Sequence, residues 1–216
     1  VTAAEHNGLL AVVVCGAGPA SSVMTLTGQA IVRGWTVQVV ATPAALGFID
    51  IAAIEDKTGS PVRSQYSAPG APRSQVPDAI IVAPATYNTI CKWAGGSSDT
   101  YALGFLAEMT GMGIPTVALP FVNAALASRV PFRRSVESLR SEGVRILLGP
   151  GGIEPHPPRT GGGAASSFPW TLALDEAERL RVDGRPDALR YACAYQRDAP
   201  ASLRPVGASL QRSSIR

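Results

Sequence analysis

Four short segments hold residues whose types and spacing could do chemistry. Cys15-Gly16-Ala17-Gly18 with Ser21 and Ser22 sets two glycines ahead of two hydroxyls. Glycine lets a backbone approach an anion, and a helix opening at that point supplies N–H donors and a positive dipole end. A dinucleotide fingerprint needs a third glycine three residues after Gly18, where Ser21 stands. A tight strand-to-helix turn with no ligand is the competing reading. Thr42-Pro43-Ala44-Ala45 with Phe48 offers a hydroxyl to a phosphate oxygen, or merely caps a helix. Pro84-Ala85-Thr86-Tyr87-Asn88-Thr89 places three polar side chains and a tyrosine behind a proline. An Asn amide can read a donor and an acceptor on a flat heteroaromatic ring, although the same run could simply cap a helix. Pro120-Phe121-Val122-Asn123 brings a second Asn directly behind an apolar run, as a ligand group or as a turn residue.

The elements around these segments decide whether they can meet. Short apolar runs at Leu9 to Val14, Val37 to Ala41, Ala79 to Ala83, Pro115 to Leu119 and Arg145 to Leu148 predict strands, mostly buried on both faces. Helical stretches are expected at Ser21 to Arg33, from Pro43 to about Phe48, at Asn88 to Gly95, Tyr101 to Met112, Val130 to Ser141 and Phe168 to Arg181. Gly34 and Gly143 act as stops. The last helix has a packing face of Trp170, Leu172, Leu174 and Leu180. Strand and helix alternate throughout, which implies a Rossmann-like, flavodoxin-like α/β three-layer sandwich with a parallel sheet. In such a sheet ligands bind beyond the carboxyl ends of the strands, where all four segments lie. Residues 149–167 are rich in Gly, Pro and Ser and predict a mobile loop.

Composition narrows the function classes. The 216 residues suit one domain, expected over 1–182, followed by an Arg/Ala/Pro-rich and irregular tail over 183–216. The tail holds six Arg and three Asp, which accounts for the whole net charge of +3 and leaves 1–182 neutral with 13 basic and 13 acidic residues. A neutral body with a basic tail is not the footprint of a nucleic-acid-binding fold. No apolar run is long enough to cross a membrane, and no basic leader precedes the first strand, so a cytoplasmic protein is expected. Cys15, Cys91 and Cys193 are odd in number and spaced for neither zinc nor a disulfide framework. With His6 and His156 the only histidines, no metal site is expected. The chain is 46% hydrophobic and 16% charged, which points to faces buried beyond one monomer's core.

Taken in order and spacing, the segments resemble the homo-oligomeric flavin-containing cysteine decarboxylases, from about Leu9 to Gly151. That family includes phosphopantothenoylcysteine decarboxylase and flavoproteins acting on the C-terminal cysteines of peptide antibiotics. Val39-Val40-Ala41-Thr42-Pro43-Ala44-Ala45 with Phe48-Ile49 looks like the family's second strand and phosphate-side helix. Pro84 to Thr89 is similar to its Pro-Ala-Ser-Ala-Asn-Thr motif, with four of six residues kept. Asp99 falls where the family has Asp-Asn, and Pro120 to Asn123 is similar to Pro-x-Met-Asn. The resemblance implies FMN held between subunits of a homotrimer, sometimes assembled into a dodecamer. By the same resemblance Gly16, Ala17, Gly18 and Thr42 would meet the phosphate. Phe48, Pro84, Ala85, Thr86, Asn88 and Thr89 would border the cofactor, and Asn123 would hold a substrate carboxylate or its amide.

The resemblance also implies a reaction. A hydride passes from the cysteine side chain to the flavin, and the resulting β-thioaldehyde loses carbon dioxide. A base must take the thiol proton. The family's histidine for this would fall near Gly70, but no histidine lies between His6 and His156. The loop cysteine of the family's reducing enzymes has no counterpart in 149–169, Val122 replaces a Met, and Ala17 replaces a Ser. His156, in Glu154-Pro155-His156-Pro157-Pro158, could fold back as a substitute, but its expected state is that of a solvent-exposed loop residue. The expected function is an FMN-dependent, decarboxylase-like flavoprotein acting on a small-molecule or peptide cysteine carboxylate. The alternatives are a non-catalytic FMN-binding subunit or regulator with the tail as partner arm, then a flavin prenyltransferase-like protein, then a nicotinamide-binding Rossmann domain.

Overall fold

The sheet is built from strands whose side chains have nowhere to meet water. β1 (Leu9–Val14) is buried from Leu10 onward, and β3 (Ala79–Ala85) and β4 (Thr116–Pro120) are buried at every residue. β2 (Thr36–Ala41) starts exposed, and β5 (Arg145–Ile146) is two residues long, as edge strands are. This computed structural model describes residues 7–66, 68 and 75–183. All pairings are parallel, in the order β2-β1-β3-β4-β5. This is the flavodoxin-like order, with its topological switch between β1 and β3.

Alternation along β1 divides the core in two. Leu10, Val12 and Val14 face one side, where they pack with Leu26 and Ala30 of α1 (Val23–Val32), Ile54 of α2 (Ile51–Thr58) and Leu174 of α8 (Trp170–Asp183). Ala11, Val13 and Cys15 face the other, against Ile90 of α3 (Tyr87–Ala94), Leu106 of α4 (Tyr101–Gly111) and Phe132 of α6 (Val130–Ser141). The result is the three-layer sandwich expected from the sequence.

The turn that ends α1 explains how tightly helices feed strands. Gly34 takes φ +85°, its N–H donates to Ile31 O at 2.9 Å, and Trp35 N–H donates to Ala30 O at 3.0 Å. This pair of bonds satisfies helix-end carbonyls and needs a residue tolerant of positive φ, hence glycine. The same bond pattern closes α4 at Gly113 and α6 at Gly143.

Several elements differ from expectation. The helix after the first glycines begins as a 3-10 turn, Gly18–Ser22, and becomes α-helical only at Val23. The stretch from Pro43 is likewise a 3-10 turn, Pro43–Gly47, and the helix beyond it is α2, capped by Asp50, which accepts from Ala53 N–H at 3.0 Å. The 149–167 stretch is not a free loop. It is bonded to the β4–β5 edge through Ile153 N–H to Leu147 O and His156 N–H to Val122 O, and it contains α7 (Gly161–Ser166). Between β4 and α6, α5 (Ala124–Ala127) forms a single turn. The basic tail lies outside the described residues, apart from its first residue, Asp183.

Candidate functional site

The carboxyl ends of β2, β1, β3 and β4 are laced together by main-chain hydrogen bonds. Thr42 N–H donates to Val14 O at 2.9 Å, Cys15 N–H to Pro84 O at 3.3 Å, and Phe121 N–H to Ala85 O at 2.8 Å. Each bond ties one candidate segment to its neighbour, so all four form one rim. β3 reaches it through a cis Ala83–Pro84 peptide and a register slip against β4 between Val82 and Ala85.

Gly16 sits where two of these segments cross. A Cβ there would come within 2.8 Å of the Ala44 carbonyl oxygen, a distance no side chain tolerates. Gly18 is covered by α7, whose Ala165 would lie 3.2 Å from a Cβ at that position. Ala17 is extended and contributes no side-chain cap, and Ser21 bonds back to Gly18 O at 3.2 Å. Thr42 is 8% exposed, and its Oγ1 is buried with no hydrogen-bond partner among the described residues. A buried hydroxyl in that state is costly and is normally satisfied. Phe48, by contrast, is 46% exposed at the end of the same turn.

The third segment splits its side chains by task. Thr86 caps α3, its Oγ1 accepting from Thr89 N–H at 3.2 Å and lying 3.0 Å from Thr89 Oγ1. Asn88 is exposed, while Tyr87 turns inward and stacks on Phe132 at 5.4 Å. Beneath this segment the Cys15 thiol is fully buried. Burial pushes its pKa up, against an opposing pull from hydrogen bonding to Thr89 and Thr86. Asp99, matched above to a family Asp, is exposed and ion-paired with Lys92.

In the fourth segment Asn123 Oδ1 caps α5, accepting from Leu126 N–H at 2.9 Å. That engages one lone pair of the oxygen. His156, which could fold back as a substitute base, lies alongside. Asn123 and His156 form an isolated parallel bridge, in which Ala124 N–H donates to His156 O at 2.8 Å. The His156 ring is half-buried and lies 4.9 Å from the Phe121 ring. Phe121 in turn meets Phe168, and Phe168 meets Trp170. The expected exposed loop histidine is therefore corrected: an aromatic row and two main-chain bonds hold it at the rim. The signal in the sequence is the proline on either side of it, which stiffens the loop. A cavity of about 270 Å³ lies here, lined by Phe121, Val122, Glu154, His156, Ala164 and Ser167 among others. The position near Gly70 lies outside the described residues. Among the described residues no cluster of three or more His, Cys, Asp or Glu could hold a metal, and no helix is long and apolar enough to cross a membrane.

An open parallel sheet with this order and a built rim at its switch point defines an α/β protein of the class that binds its ligands beyond the carboxyl ends of the strands. Residues 4–168 match the flavoprotein family model, and the chain belongs to that family. No curated protein matches it. Its fold is shared by solved structures. The FMN-dependent cysteine decarboxylase SpaF is 25% identical, with a TM-score of 0.58, covering 81% of this chain and 98% of its own. The cypemycin decarboxylase CypD is 23% identical, with a TM-score of 0.61 and coverage of 85% and 99%. The epidermin biosynthesis protein EpiD from Staphylococcus aureus is 21% identical, with a TM-score of 0.53 and coverage of 64% and 81%.

Proposed function

We propose that this flavoprotein binds FMN and oxidatively decarboxylates a cysteine-type carboxylate, either a small molecule or the C-terminus of a peptide. The observation that carries the reading is the rim itself. Three main-chain bonds bring the Gly16, Thr42, Pro84–Thr89 and Asn123 segments together, and the rim holds a buried Thr42 hydroxyl without a partner among the described residues. The similarity to an FMN-dependent cysteine decarboxylase supports the substrate class.

The residues fit such a cofactor. The orphaned Thr42 Oγ1 is suited to a phosphate oxygen, with the Gly16-Ala17-Gly18 backbone beside it. Pro84, Ala85, Thr86, Asn88 and Thr89 would border the ring system, with exposed Phe48 at its margin. Asn123 would present Nδ2, its donor, to the substrate carboxylate, while its oxygen caps α5. When bound, the flavin supplies a two-electron hydride acceptor, and the protein supplies placement and proton transfer.

The visible absorption spectrum of the purified protein, followed by release of the chromophore, tests this reading. Flavin bands near about 375 and 450 nm with released FMN are expected. A colourless protein that takes up no added FMN removes the assignment. The second reading, a non-catalytic FMN-binding subunit, is favoured by the lack of any histidine between His6 and His156. It predicts a yellow protein whose flavin no cysteine-terminated peptide bleaches. A prenyltransferase would instead consume reduced FMN with dimethylallyl phosphate.

A further inference from the structure

We propose that His156 is the catalytic base of this site, with Nε2 as the atom that takes the substrate proton. The proposal rests on the cysteine-oxidising function above and assigns a residue to a role that function leaves unfilled.

Three observations carry it. The first is position: His156 bridges to Asn123, so the two residues start one strand spacing apart, about 4.8 Å. Its ring lines the cavity beside Phe121. The second is proton placement. Nδ1 lies 2.9 Å from Pro157 O, and a carbonyl oxygen only accepts. In the neutral ring Nδ1 therefore carries the proton and Nε2 keeps its lone pair. The third is access. Gly161 faces the Nε2 edge of the ring, where a Cβ would stand 3.7 Å from Nε2.

The ring is also well anchored. Pro157 O accepts from Thr160 N–H at 3.3 Å and Thr160 Oγ1 at 2.7 Å as well as from Nδ1. Pro158 and Arg159 are the central residues of this turn, and Arg159 takes φ +70°, a position that normally favours glycine. Glu154 also lines the cavity but is exposed to solvent, and two groups elsewhere are less suited. Asp99 is engaged by Lys92, and Cys15 is buried beneath the Thr86 segment with its thiol held protonated.

The step balances as follows. The substrate S–H bond breaks, and its proton forms an N–H bond on Nε2. The sulfur electron pair closes a C=S bond as a hydride leaves Cβ for the flavin. Cβ loses two electrons and the flavin gains them.

Two measurements test the assignment. A long-range proton–nitrogen NMR spectrum of the holoprotein, with His156 assigned by its loss in His156→Gln, should show a protonated Nδ1 and a bare Nε2. An Nε2–H tautomer overturns the proposal. In anaerobic single turnover with a cysteine-terminated pentapeptide, His156→Gln should bleach the flavin at least about 100-fold more slowly than wild type, at equal FMN content. Imidazole should restore the rate to His156→Ala. Wild-type bleaching that His156→Gln leaves unchanged overturns the proposal alone. A holoprotein that this peptide does not bleach, in wild type and variant alike, overturns the substrate reading and the proposal with it.

Discussion

Thr42 Oγ1 separates stability from binding in a way that one substitution exposes. Thr42→Val removes a buried hydroxyl that has no partner among the described residues, so the apoprotein should be no less stable. The same change deletes a proposed hydrogen bond to a charged phosphate, a class of bond worth about 1.5–3 kcal/mol. FMN affinity should therefore fall by on the order of 10- to 100-fold, as read by fluorescence titration, while the apoprotein melting temperature holds or rises. Cys15 shows burial at work on a titratable group. Its raised pKa means that the folded state keeps the thiol proton where an unfolded chain releases it. Its contribution to stability is thus full below the ordinary thiol range, about 8.5, and is lost as pH rises through the folded value. Iodoacetamide at about that pH should leave Cys15 unmodified in the native protein and alkylate it in urea, as read by peptide mass spectrometry.

At the scale of elements, α8 shows a helix fastened across the sandwich by charge. Glu176, whose side chain is 14% exposed, bonds Arg179 on its own helix at 2.9 Å and Arg145 of β5 at 2.7 Å. The hydrogen bond from Arg179, with Arg145 adding to it, holds the carboxyl below the usual carboxylate range. A depressed folded pKa gives stability that is present above the unfolded value and lost as pH falls through the folded one. Both arginines are half exposed, so the network is worth no more than about 1 kcal/mol. Glu176→Gln should lower the melting temperature by at most about 2–4 °C at neutral pH, and the difference should shrink as pH falls below the ordinary carboxylate range and vanish once the folded carboxyl is protonated. The elements also show what a sequence can disclose. β1, β3 and β4 were legible because a strand buried on both faces is a continuous apolar run, and so were α4, α6 and most of α8. α2 was not, because only Ile54 of its eight residues is buried and no apolar stripe marks it. The placement of His156 was hidden for another reason: it depends on contacts with Val122, Asn123 and Ala124, more than thirty positions away.

At the scale of the whole molecule, the chain is 46% hydrophobic with 16% charged residues, and Phe48 and Ile51 stand 46% and 37% exposed at the rim. A flavin shared between copies of this chain, as the resemblance to the cysteine decarboxylases implies for a homotrimer or a dodecamer, would cover them. Sedimentation of the holoprotein should give a trimer or a multiple of one. Phe48→Asp should shift it toward monomer and release FMN. A wild-type monomer that retains its flavin would end the shared-pocket reading.

The bonds lacing the rim run from amide to carbonyl, without a single side chain among them. The spacing between the four segments is therefore set by the main chain, and apart from the close-packed Gly16 it does not depend on which side chains ride on it. Descendants of such a scaffold can discard a reactive group from one connection and recruit another from a different one, with no redesign of the frame. Chemical novelty is then cheapest in the segment after β5, and a chain lacking an ancestral histidine need not have lost the ancestral trade.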